Sequence, residues 1–214
     1  MYLPEHFAQR DRERLLQTIR DWPLATIITS GAEGLTADHV PLIVVEGSGG
    51  LRLQGHVPQA NPIGDGEADK VPVLVIFHGP QHYISPSWYP AKKEHGRVVP
   101  TWNYQVVHAH GQLRLIREGD WVCRQIDALT QQQEARMESP WHVADAPAEY
   151  TAKLVGQLKG IEIEVSQLIG KTKASQNQPE ANRRGVITGL SGLPEGQGGA
   201  TAALVRESLH GNPG

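Results

Sequence analysis

Four prolines, three tyrosines, two tryptophans and two histidines fall within the 26 residues from Gly79 to Tyr104, GPQHYISPSWYPAKKEHGRVVPTWNY. Each proline fixes φ and removes an amide donor, so this stretch is not expected to be a helix. It predicts a stiff, shaped loop, with Ser85-Pro86-Ser87 at its centre. Rings with polar handles on such a loop suit a flat ligand, a subunit contact or a cover over a sheet edge.

Around that loop the pattern is that of short strands. Leu24–Ser30 is apolar and β-branched, and Leu35–Val45 follows after glycines, interrupted near Pro41, where a bulge or an edge is expected. Gly47-Ser48-Gly49-Gly50 turns the chain into Leu51–His56, where Leu51 and Leu53 alternate with polar residues. Val71–His78 is a nearly continuous apolar run, expected to be covered on both faces. Gln105–Ile116 and Ile161–Val165 alternate again. Helices are expected over Asp11–Trp22 (capped by Asp11), Trp121–Met137, Pro147–Leu158 and Pro179–Leu190. The fold class is therefore mainly β with peripheral helices (α+β), closer to a closed or split barrel than to a βαβ fold. One domain with appended helices is expected over residues 1–190, and a Gly-rich tail with a short helix near Ala200–Leu209 over 191–214.

Net charge is −3 and the pI about 6.4, which gives no general attraction to nucleic acid or to an anionic membrane. Arg10, Arg12, Arg14 and Arg20 crowd the first helix, but Asp11, Glu13 and Asp21 offset them. No apolar run reaches the ~18 residues of a membrane span. The N-terminus lacks an apolar signal core, so a cytoplasmic protein is expected. The single Cys123 excludes an internal disulfide and is expected to be a small buried residue of the helix over Trp121–Met137. His108 and His110 share a strand face, with His78 and His82 on a neighbouring segment, but no carboxylate accompanies them at ligand spacing, so no metal is expected. Gly196–Thr201 lacks the Lys-Ser/Thr pair of a phosphate loop.

Several strings carry a more specific likeness in their order and spacing. They are Met1–Phe7, Asp38–Leu42, Gly55-His56, Asn61-Pro62, the aromatic loop, Gly160–Ile163, Lys173–Asn177 and Pro179–Ala181. Together they resemble the PaiB family of FMN-binding negative transcriptional regulators. The resemblance implies a flavin-binding split β-barrel, a homodimer with sites at the subunit boundary, FMN as cofactor, and repression of transcription with flavin as a sensing ligand. DNA or a regulatory partner enters through this resemblance alone. A flavin-dependent oxidoreductase and a dimeric scaffold that has lost its cofactor are the alternatives. In one place the chain departs from the family pattern: Ile63-Gly64-Asp65-Gly66-Glu67 follows Pro62 where a Trp and a basic residue are usual.

FMN requires basic and clustered donors for its phosphate, backbone groups for the ring edge and flat cover for the ring faces. Lys173, Ser175, Gln176, Asn177 and Arg183 form the densest donor cluster and are the candidates for the phosphate. His39, Val40 and Pro41 are the candidates for the ring edge, on an irregular strand with free amides. His56 and Asn61 are placed to hold ribityl or phosphate oxygens, and Tyr83, Ser85, Ser87, Trp88 and Tyr89 to close the pocket from a second subunit. No catalytic residue is assignable. The aromatic loop predicts a homodimer with Tyr83, Trp88, Tyr89 and Trp102 at or beside the contact.

Overall fold

The computed structural model describes residues 1–31, 34–65 and 69–210. Gly66 and Glu67, part of the acidic segment after Pro62, and Gly211 lie outside the described residues. The chain divides into two compact units. The first takes Met1–Leu15, His78–Val107 and Ile169–Gly214; the second takes Leu16–Phe77 and His108–Leu168.

Eight strands are described: β1 (Ala8–Gln9), β2 (Leu24–Gly31), β3 (Gly34–Pro41), β4 (Ile43–Gly47), β5 (Gly50–Pro58), β6 (Val71–Ile84), β7 (Thr101–Ile116) and β8 (Leu158–Lys173). They pair in the order β3-β2-β6-β7-β8-β5-β4, with β1 added on β8, an open path rather than a closed ring. Helices α1 (Arg12–Asp21), α2 (Ala91–Glu94), α3 (Gly119–Glu134), α4 (Ala148–Val155), α5 (Glu180–Ser191) and α6 (Gly199–His210) complete the chain. The expectation of a mainly β protein with peripheral helices holds.

Helix α1 starts where Asp11 Oδ1 accepts the amides of Glu13 and Arg14 at 2.9 and 3.3 Å, the cap expected of that residue. Leu16 and Ile19 on its inner face are fully buried. Strands β2 and β5 alternate as period-two patterns should, with Ala25 and Ile27, then Leu51, Leu53 and Val57, turned inward. Register places Leu53 opposite both Val44 and Ile163, so apolar residues meet across three strands. In β6, Val73, Val75 and Phe77 are buried while Leu74 and Ile76 are half-buried. The run expected to be covered on both faces is covered fully on one. Strand β3 pairs regularly with β2 through Pro41, and the interruption falls one residue later, at Leu42. Cys123 on α3 is exposed, contrary to expectation. The α3 side chains that turn inward are Val122 and Gln125, so Cys123 falls beside the buried stripe rather than in it.

In the first unit, Ile84, Tyr89, Ala174, Val186, Leu190, Ala202, Leu204 and Val205 form one apolar cluster. The proline-rich segment is shorter as a loop than its composition implies. Its first six residues extend β6 and its last four begin β7, leaving a 3₁₀ turn at Pro86–Trp88 and the four-residue α2 between them. Ser85 Oγ accepts the Ser87 amide at 3.2 Å and caps that turn. Trp88 then lies on α5 at two glycines. A Cβ at Gly185 would stand 2.0 Å from the Trp88 carbonyl oxygen, and one at Gly189 2.3 Å from the indole. Alanine would raise helix propensity at 185 by about 1 kcal/mol. The overlap with backbone costs about 1–3 kcal/mol or more and outweighs that gain. Gly185→Ala is therefore expected to lower the unfolding midpoint in a thermal melt, whereas an exposed helical Gly→Ala would raise it.

Candidate functional site

Strand β8 ends at Lys173, and the turn that follows builds the site of the first unit. Gln176 Oε1 accepts the Ala174 amide at 2.7 Å and its Nε2 donates to the Thr172 carbonyl at 2.6 Å, closing the turn with one side chain. Ser175 sits at its apex with φ 61°, the one non-glycine residue with positive φ among the described residues. The Gln178 amide donates to the Ser175 carbonyl, and Pro179 opens α5.

A pocket of about 150 Å³ lies against this turn, lined by Tyr89, Thr101, Asn103, Lys173, Ser175 and Asn177 together with Val99, Pro100 and Gln178. Lys173 Nζ donates to Thr101 Oγ1 and lies 5.9 Å from the centre of the Phe7 ring. Burial raises the Tyr89 phenol above its ordinary pKa, so it stays a neutral donor and acceptor. Asn103 is fully buried: its Nδ2 donates to Ser175 Oγ at 2.8 Å, while its Oδ1 is buried without a partner. Leaving such a group unmade costs about 1–3 kcal/mol, and an unpaired buried acceptor inside a polar pocket asks for a donor.

Of the phosphate candidates, Lys173, Ser175 and Asn177 line this pocket. Gln176 is held by backbone groups. Arg183 donates through Nη1 to the Ser208 carbonyl of α6 at 2.7 Å, and its Nε is buried without a partner. From the aromatic loop, Tyr89 forms part of the wall. Trp88 is taken up by α5, and Ser87 Oγ accepts Lys92 Nζ at 3.0 Å. Tyr83 and Trp102 are exposed and meet edge to face at 6.3 Å.

The remaining candidates belong to the second unit. His39 and Val40 pair with Thr26 and Ala25; β3 is an edge strand, so alternate amides have no sheet partner. His39 is exposed and Val40 buried. Asn61 Nδ2 donates to Asp38 Oδ1 at 2.7 Å and its Oδ1 accepts the Ile63 amide at 2.7 Å, so Asn61 joins β3 to the turn after Pro62. His56 Nδ1 shares a 2.7 Å hydrogen bond with Gln125 Oε1 of α3. The acidic substitution in that turn has a structural employer. Asp65 Oδ1 accepts from the fully buried Lys159 at 2.7 Å and lies 4.0 Å from Arg117.

A larger groove of about 310 Å³ in the second unit escaped sequence reading. Arg52, Lys70 and Arg114 face Glu162 and Glu164 in it. Arg52 stands opposite Glu164, and Gln54 opposite Glu162, in the β5–β8 register, a cross-strand pattern invisible until the strands are paired. Two of its cations are paired: Arg114 binds Glu162 at 2.5 Å and Lys70 binds Glu164 at 2.6 Å. The Lys70 hydrogen bond, then its charge, hold the Glu164 carboxyl below the ordinary value, helped by Arg52 and Arg114. A lowered carboxyl contributes stability above the ordinary carboxylate pKa and loses it as pH falls through the lowered one. Both partners are half exposed, so that contribution is small. Lys70→Met is expected to move the Glu164 titration back up, read by carbon-detected NMR. Among the described residues no three His, Cys, Asp or Glu side chains group as metal ligands, and no helix is long and apolar enough to cross a membrane.

Two relatives share the chain nearly end to end. An uncharacterized protein of Emericella nidulans is 32% identical over 97% of each chain. The protease synthase and sporulation protein PAI 2 (PaiB) of Bacillus subtilis is 28% identical over 98% of each. Among solved structures, the FAD and heme binding protein of Mycobacterium smegmatis superposes with a TM-score of 0.60 at 17% identity, covering 85% of this chain and 80% of that one. The flavocytochrome Anf3 of Azotobacter vinelandii gives 0.53 at 13%, covering 80% and 72%. These likenesses concern the fold, which is the split β-barrel of flavin-binding proteins, with its sheet left open. Residues 1–167 match a whole family pattern, and the chain belongs to the family described as "Putative FMN-binding domain".

Proposed function

We propose that this chain is an FMN-binding, PaiB-like negative regulator of transcription that acts as a homodimer and uses the flavin as a sensing ligand. The observation that carries the flavin is the pocket at the end of β8, where Lys173, Ser175 and Asn177 converge beside a buried group that lacks a partner. Its volume suits the phosphate end of FMN and not the ring system, which would lie outside it. The other candidates, His39, Val40, Pro41, His56 and Asn61, lie in the second unit. When bound, FMN would supply a redox-sensitive ring; the protein's residues hold and orient it.

The regulator reading is preferred to a flavin-dependent oxidoreductase because of the full-length relative PAI 2. The name of that relative refers to protease synthesis and sporulation. Dimerisation is proposed on the exposed Tyr83 and Trp102 pair, apolar rings with polar handles of the kind that subunit contacts cover. The location is proposed to be the cytoplasm, where a DNA-binding regulator works.

The test has two arms. Titration of the purified protein with FMN should shift the flavin absorption bands and quench its fluorescence. A gel shift on the protein's own upstream DNA should show a complex whose stability changes when FMN is added. Binding of FMN with no DNA complex, together with oxidation of a nicotinamide cofactor, would overturn the regulator reading in favour of the enzyme. Light scattering should give twice the chain mass; a stable monomer at micromolar concentration sinks the dimer.

A further inference from the structure

The pocket beside Lys173 has an asymmetry that the flavin reading does not require. Lys173 Nζ spends one N–H on Thr101 Oγ1, leaving two of its three donors among the described contacts. Ser175 Oγ accepts from Asn103 and keeps its own O–H to donate. Those groups suit an anion. Asn103 Oδ1 does not: it is a buried acceptor without a partner, on a residue that is 0% exposed. No carboxylate lines the pocket, and its other titratable wall group, Tyr89, is held neutral by burial.

An acceptor is satisfied only by a hydrogen. An oxyanion without protons, such as sulfate, would set its oxygen against Asn103 Oδ1 and leave both desolvated. A phosphate group that keeps a proton presents oxygens to Lys173 and Ser175 and an O–H to Asn103. We propose that this pocket is a binding site for a protonated phosphate group, selected against fully deprotonated oxyanions by the unpaired Asn103 carbonyl. Lys173 answers the charge, the Ser175 hydroxyl donates, and Asn103 reads the proton. The same chemistry is offered by the phosphate of FMN in its monoprotonated form and by free inorganic phosphate. Only the first of these rests on the function proposed above.

The test is calorimetric titration of the full-length protein with sodium phosphate and with sodium sulfate at neutral pH and matched ionic strength. Phosphate is expected to bind at least about tenfold more tightly than sulfate, the ratio that one lost hydrogen bond in a buried site produces. Asn103→Leu should bring that ratio close to one. Because a fully buried Asn can matter for folding, Lys173→Met provides a second variant, with circular dichroism checking the fold. It should weaken phosphate about tenfold to a hundredfold. Phosphate that displaces FMN but leaves riboflavin bound identifies the flavin's own phosphate as the occupant. Phosphate bound together with FMN identifies a free-phosphate site, and both results support the proposal. Failure of FMN to bind at all, with phosphate still preferred over sulfate, overturns the flavin reading and leaves this one standing. Equal binding of phosphate and sulfate, or no saturable phosphate binding at roughly 10 mM, overturns it.

Discussion

Replacing Asp65 by Ala is expected to lower the unfolding free energy by about 3 kcal/mol, the low end of the range for stranding a buried charge. Lys159 is 1% exposed, and its ammonium meets Asp65 Oδ1 at 2.7 Å. Asp65 is itself half exposed, with Arg117 at 4.0 Å, so water already shares the pair and the larger values of the range do not apply. Removing the acid leaves a cation enclosed without its counter-charge, whereas removing the base leaves a carboxylate that water can reach. Lys159→Met should therefore cost little, and Asp65→Ala on top of Lys159→Met should cost almost nothing more. Urea unfolding of the four variants measures this cycle. Equal losses from Asp65→Ala in both backgrounds would remove the ion pair from the account.

Replacing Lys173 by Ala is expected to weaken FMN about tenfold to a hundredfold, since a charge-assisted hydrogen bond contributes roughly 1.5–3 kcal/mol. The ammonium stands in the wall of the β8 pocket and is anchored at Thr101, so its position does not depend on a flexible stem. Riboflavin supplies the control, because it carries the ring and the ribityl chain without the phosphate. It should bind the unmodified protein more weakly than FMN does and hardly respond to the substitution. Fluorescence titration of both ligands against both proteins decides it. Equal losses for FMN and riboflavin would falsify the assignment of Lys173 to the phosphate.

The strands were legible because their periodicity is local. LATIITS and the alternation around Leu51 and Leu53 announce β2 and β5 without help from distant residues. The proline-rich segment misled at its ends for the opposite reason. Gly79–Ile84 and Thr101–Tyr104 are strand only because neighbouring strands pair with them, and no local pattern announces that. In the site, Lys173, Ser175 and Asn177 could be picked out as a donor cluster because they are adjacent in sequence. Asn103 could not, since its meaning depends on Ser175, 72 residues away. The one available signal was the run Thr101, Asn103, Gln105, three polar residues at strand spacing on one face. Arg183 reads as a phosphate ligand in a linear string, yet the carbonyl of Ser208 on α6 takes its guanidinium. Asp65 reads as a damaged site until Lys159, 94 residues on, is seen to depend on it.

The strained backbone of Ser175 is offset by what its side chain holds. A left-handed conformation suits glycine, and a serine held there bears a strain of about 1 kcal/mol. Ser175→Gly would relieve that strain and also remove the hydroxyl to which the Asn103 amide is tied. That loss strands the buried Asn103 amide, at about 1–3 kcal/mol, more than the strain relieved, so a screen that selects this protein only for heat resistance should keep serine at this position.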